Sequence, residues 1–98
     1  MDVEFEGEVF RWAARQDADW YFVAVPADLS HEIREMQTFR RGFGGVRVEA
    51  GIGGSTWRTS IFPSRDGTYS LPLKQSVRAT EGLVEEEPFA VHLRILDV

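Results

Sequence analysis

Apolar and polar residues alternate from the start of the chain. Val3, Phe5, Gly7 and Val9 share one parity; Glu4, Glu6, Glu8 and Phe10 share the other. A period of two marks a strand with one face in a core and one in water. Residues 3–12 are therefore expected to form the first strand, with its glutamate face solvated. Residues 13–19 (AARQDAD) read as a polar connection. Residues 20–25 read as a second strand, dense in aromatic and β-branched side chains and expected to be covered on both sides. Pro26 ends it, because its nitrogen cannot donate to a ladder.

The period then changes. Leu29, Ile33, Met36 and either Gln37 or Arg40 fall on one stripe of a helix over residues 28–39. Ser30 is placed to cap its start. Glu32 and Glu35 come early and Arg40 and Arg41 late, as the helix dipole favours, and Gly42 suits a left-handed C-cap. Alternation resumes in residues 46–52 and 56–62, with Gly53-Gly54-Ser55 between them as a hairpin signal. Residues 63–67 (PSRDG) are a second hairpin signal. Residues 68–74 form the next strand. Pro72 inside it argues for an edge or a bulge. Residues 75–81 are a short helix or turn closed by Gly82, and Pro88 opens a last strand over residues 89–96. The fold class is mainly β: a small barrel or pseudo-barrel of six or so strands, mixed but mostly antiparallel, with one α-helix and one short helical turn. The core is expected from Trp20, Phe22 or Val23, Val25, Leu29, Ile33, Val48, Ile61, Leu71, Leu73, Val91, Leu93 and Ile95.

Two stretches read as one unit written twice. Residues 21–30 (YFVAVPADLS) and 69–78 (YSLPLKQSVR) superpose without a gap when one slides by 69 − 21 = 48 positions. Tyr21 meets Tyr69, Val23 meets Leu71, Val25 meets Leu73 and Leu29 meets Val77. Each unit is a strand followed by a helix-like turn, and each is followed by another strand. This implies a single domain, 1–98, built from pseudo-repeat halves of about 20–52 and 68–98. Two halves in one chain remove the need for a partner, so a monomer is expected.

Composition narrows the function classes. The chain has 98 residues, 43% hydrophobic and 12% aromatic, enough for one modest core. No apolar run approaches a membrane span, and the acidic start Met1-Asp-Val-Glu lacks the basic region of a signal peptide. Cysteine is absent, which excludes disulfide and thiolate chemistry and fits a cytoplasmic location. The net charge is −5, and residues 1–50 hold ten acids against six bases. A chain of this sign is repelled by nucleic-acid backbone unless its bases cluster, so nucleic acid is not the expected partner.

Motifs for catalysis or cofactors are weak. The glycines at 42–45 and 51–54 precede strands, whereas a phosphate cradle needs them before a helix; they read as turns. His31 and His92 have no second ligand at metal spacing and no nucleophile motif beside them. Glu85, Glu86 and Glu87 are consecutive, not alternating as in a calcium loop. No metal or cofactor is expected. The constellation with chemistry in it is Lys74, Arg78, Trp57 and Arg58, with Tyr69 nearby. Trp57 and Arg58 alternate onto opposite faces. Lys74 and Arg78 are four apart and can share one end of the barrel, beside Trp57 or Tyr69, where two cations would receive an anion. The competing reading pairs them with Glu81, Glu85, Glu86, an acid of the N-terminal strand or the C-terminal carboxylate.

Residues 71–93 resemble the half-domain of AbrB/MazE-type transcription regulators: a strand, an apolar–Arg pair (Val77-Arg78), a short helix, then a last strand (Phe89-Ala-Val-His-Leu). Lys74 stands at the usual proline site, and Glu87-Pro88 where Gly-Asp is usual. Those regulators bind DNA as dimers of interleaved halves. Over its full length the chain is similar to a small bacterial family named domain of unknown function nineteen-oh-five. The matching pieces are WYFVAVP at 20–26, WRTSIFP at 57–63, DGTYSLPLK at 66–74 and Val77-Arg78. The resemblance implies a β-barrel and brings no activity with it. The expected function is a non-enzymatic binding module for a protein or a small anionic ligand at Lys74 and Arg78. The alternative is an AbrB-like DNA-binding regulator.

Overall fold

A computed structural model describes residues 1–15, 18–37 and 44–96. Its elements run β1 (Asp2–Gly7), β2 (Val9–Arg15), β3 (Ala18–Ala24), α1 (Ala27–Glu35), β4 (Val46–Ile52), β5 (Ser55–Pro63), β6 (Tyr69–Pro72), α2 (Gln75–Glu81) and β7 (Phe89–Ile95). The seven strands lie in the order β1-β7-β4-β5-β6-β3-β2 and curl into a half-barrel. Every ladder between these strands is antiparallel, and an isolated parallel bridge joins Val9 to Glu85.

The expected first strand, residues 3–12, is two strands, because the ladder partner changes at Glu8. Residues 2–7 pair with β7, and Val9 onward pairs with β3. Gly7 makes the crossing sterically feasible, since a Cβ there would collide with the Val23 side chain. The expected polar connection 13–19 is largely ladder: β2 reaches Arg15, β3 starts at Ala18, and the register slips between Trp12 and Arg15. A two-stranded edge satisfies its backbone by pairing, so polar side chains do not prevent strand here.

Helix α1 also differs from expectation. Its N-cap is Pro26, and Ser30 sits one turn inside, fully buried. The Ser30 hydroxyl donates to the Val25 carbonyl (3.0 Å) and accepts from the Tyr69 amide (3.0 Å). Ser30 thus fastens α1 to β6 instead of capping it. The helix ends at Glu35 with Met36 as C-cap, and Met36 is 43% exposed, so the buried stripe is Ile33 with partly buried Leu29. Arg40, Arg41 and Gly42 lie outside the described residues.

Ten of the expected core residues are buried: Val23, Val25, Ile33, Val48, Ile61, Leu71, Leu73, Val91, Leu93 and Ile95. Val3, Val9, Val46, Ala50, Ile52, Trp57, Tyr69 and Val77 join them. Trp20 does not; it is 50% exposed, on the parity of β3 opposite to the buried Val23. Pro72 ends a strand that is interior, not an edge. Its even-numbered position points toward β5, but the β5 ladder has already stopped at the Phe62–Ser70 pair, so no hydrogen bond is lost.

The centre of the fold is the β3–β6 ladder. Val23 faces Leu71, the residue 71 − 23 = 48 positions on. Around that pair the bonds are reciprocal: the Val25 amide donates to the Tyr69 carbonyl (2.8 Å), and the Leu73 amide donates to the Tyr21 carbonyl (2.9 Å). Each strand then runs directly into a helix, α1 at Ala27 and α2 at Gln75, again 48 apart.

Candidate functional site

The five residues singled out from sequence are placed in different surroundings. Trp57 is buried, and its indole N–H has no hydrogen-bond acceptor among the described residues. Arg58, on the outward parity of β5, is exposed and 3.7 Å from the Glu49 carboxylate. Tyr69 is buried beneath α1, where Arg34 lies 5.9 Å from its ring centre and donates to the Gly67 carbonyl at 3.2 Å. Lys74 is the exposed N-cap of α2. Arg78 lies in the last turn of α2, with its guanidinium carbon 3.7 Å above the Tyr21 ring. Its Nε is buried with no acceptor.

Arg78 therefore stacks on Tyr21, not Tyr69. The acids considered as partners are engaged elsewhere or remain apart. Glu81 accepts from the Ser55 hydroxyl (2.6 Å) and the Gly54 amide (3.4 Å), clamping the β4–β5 turn. Among the described residues no carboxylate forms an ion pair with Lys74 or Arg78. The histidines sit in exposed pairs, His31 with Glu35 (3.5 Å) and His92 with Asp2 (3.2 Å).

Among the described residues, two clefts on the surface of the sheet stand out. One, of about 680 Å³, is acidic, with Glu6, Glu8, Glu85 and Glu86 around Val9 and Phe10. The other, of about 720 Å³, is aromatic. Phe10, Phe22 and Phe62 line it, and Pro63, Ser64, Arg65 and Ser70 complete it. Its size lies within the range of small-molecule sites.

The ladders explain why three phenylalanines meet there. Phe10 stands opposite Phe22 across β2–β3, and Phe62 stands opposite Ser70 across β5–β6. Phe22 and Ser70 are themselves counterparts, 70 − 22 = 48 positions apart, and flank the Val23–Leu71 pair. Phe10 and Phe62 thus hold equivalent outer places on either side of the central ladder. The Phe10 and Phe22 rings stack at 5.7 Å and 26°, and Trp20 extends the aromatic surface 6.3 Å from Phe22. Phe10 and Phe62 remain 39% and 44% exposed, which is costly for large apolar side chains without a partner.

The polar part of the cleft comes from the β5–β6 turn. The Ser64 and Ser70 hydroxyls are 2.8 Å apart. Asp66 accepts from the Thr68 amide (3.0 Å) and hydroxyl (2.7 Å), which holds its carboxyl below the usual range and fixes the turn. Arg65 projects from that turn with no ion-pair or hydrogen-bond partner among the described residues.

Comparison with known proteins adds one match. The family described as Domain of unknown function (DUF1905) covers residues 5–93. The chain belongs to that family. The matched span includes every described residue lining the aromatic cleft and both members of the Arg78–Tyr21 contact. No curated protein matches the chain. The family's description carries no activity, so the site is read from its own chemistry.

Sequence reasoning missed this cleft. The signal was partial: Phe10 falls on the solvent parity of the first strand, an exposed aromatic among glutamates. Nothing local shows that Phe22 and Phe62 arrive beside it.

Proposed function

We propose that this domain is a non-enzymatic, monomeric binding module of the bacterial cytoplasm, and that it holds a small organic ligand in the aromatic cleft. The observation that carries this reading is the exposure of Phe10 and Phe62 around a cleft of about 720 Å³. Folding alone gains little from leaving such rings in water; a ligand that covers them gains roughly 25 cal/mol per Å² of apolar surface removed. The test is a fragment screen followed by protein-observed NMR. Hits are expected to perturb residues 10, 22, 62–65 and 70 and to weaken at least tenfold in Phe62→Ala. A screen whose hits all bind elsewhere would overturn it.

A second reading keeps the anion site at Lys74 and Arg78. The buried, unpartnered Nε of Arg78 favours it, since a buried guanidinium donor without an acceptor invites one. An anion screen on the Lys74→Ala/Arg78→Ala variant separates binding there from a purely structural role.

The AbrB-type kinship belongs with these proposals. The reciprocal pairing of residues 48 apart supports a chain made of two such halves, whereas the net charge of −5 opposes DNA as the ligand.

A further inference from the structure

The cleft is not uniformly apolar. Arg65 offers a guanidinium with five N–H donors and no partner among the described residues. The two serine hydroxyls beside it are bonded to each other. In such a pair one hydrogen is used and the other is left to donate. Among the described residues no carboxylate lines the cleft. Asp66, next to Arg65 in sequence, is turned to Thr68 and holds two hydrogen bonds there. Among the described residues the polar end therefore presents donors and positive charge, with no acid lining it. The apolar end presents three phenyl rings, two of them stacked.

We propose that the ligand of this cleft is an aromatic carboxylate. Its ring lies on the phenylalanines, where offset aromatic contacts add to simple burial. Its carboxylate meets Arg65 in the two-pronged geometry that a guanidinium favours, with the remaining serine hydrogen as a further donor. A carboxylate fits better than a phosphate monoester on charge. Arg65 supplies a single positive charge, a monoester carries close to two negative charges at neutral pH, and the domain carries a net −5. This inference rests on the reading of the cleft as a binding site and adds the chemical class of its occupant.

The test compares 2-naphthoate, the neutral 2-naphthamide and 2-naphthyl phosphate by NMR titration against the wild-type domain and Arg65→Gln. Arg65 lies in an exposed turn, and a melting curve checks that the variant is folded. The expected result is that 2-naphthoate binds at least tenfold more tightly than the amide and more tightly than the phosphate. In Arg65→Gln the preference over the amide should disappear, while amide binding stays within about twofold. Equal binding of acid and amide to the wild type would overturn the carboxylate assignment and leave the binding site standing. Tighter binding of the phosphate would overturn it in favour of a doubly charged ligand. Failure of all three probes to bind would overturn both the assignment and the site.

Discussion

The guanidinium carbon of Arg78 lies over the ring of Tyr21, 3.7 Å from its centre, although the two are 78 − 21 = 57 residues apart. The contact ties the last turn of α2 to β3, across the central ladder. A cation on an aromatic face contributes about 0.5–2 kcal/mol, and the Arg stem adds packing. Arg78→Ala should therefore destabilise the domain by about 1–2 kcal/mol in urea melts, with Arg78→Lys recovering only part. Lys74→Ala, at the exposed helix start, should stay within about 0.5 kcal/mol of wild type. Equal losses for both residues would contradict the stacking account.

A second tie runs from α2 to the β4–β5 turn. Gly53 has φ 57° and sits against the Glu81 carboxylate, so an added Cβ would collide with it. Gly53→Ala should cost about 1 kcal/mol for the backbone alone, and more where the Glu81 carboxylate is pushed off the Ser55 hydroxyl and Gly54 amide. In a Glu81→Ala background the added cost should fall by at least about 0.5 kcal/mol. Additive losses would show that the carboxylate and the turn are independent.

Ile33 is fully buried on the inner face of α1 and carries the helix register. Ile33→Asp places an unpaired charge in the core, a change that costs several kcal/mol or unfolds the domain. Met36→Asp, one turn later and 43% exposed, should melt close to wild type. Circular dichroism melts of the two variants check this contrast.

Asp66 supplies the pH dependence of the β5–β6 turn. Its bonds from the Thr68 hydroxyl and amide favour the charged form, so its pKa is lowered on folding. A group lowered on folding contributes stability above its unfolded pKa of about 3.9, and that contribution is lost as pH falls through the folded value. Carbon-detected NMR titration should place Asp66 below free aspartate, and Thr68→Val should move it upward. An unchanged titration in Thr68→Val would show that the hydroxyl bond does not set it.

Much of the β architecture is legible in the sequence because parity is a local property. Val46, Val48, Ala50 and Ile52 alternate in the chain and are buried in alternation. The 48-residue offset is legible for the same reason, and its two tyrosine carbonyls accept equivalent bonds across the central ladder, Tyr69 from the Val25 amide and Tyr21 from the Leu73 amide. Parity does not reveal which face is covered. Trp20 looks like core by composition and is half exposed. It also does not reveal a change of ladder partner, which is what divides residues 3–12 at Glu8. The candidate site was the least legible part. Lys74 and Arg78 are one helical turn apart, but Arg78 turns to Tyr21, a contact set by strand order. The aromatic cleft is assembled from β2, β3, β5 and β6, and its members are brought together by register alone.

The central claim is that Phe10, Phe22 and Phe62 form a ligand site. It is tested most directly by amide shift mapping of the labelled domain during titration with 2-naphthoate. The expected result is saturable shifts at residues 10, 22, 62–65 and 70, lost in the Phe10→Ala/Phe62→Ala variant while the fold is kept. No saturable shift at several millimolar, or shifts that survive in that variant, would contradict it.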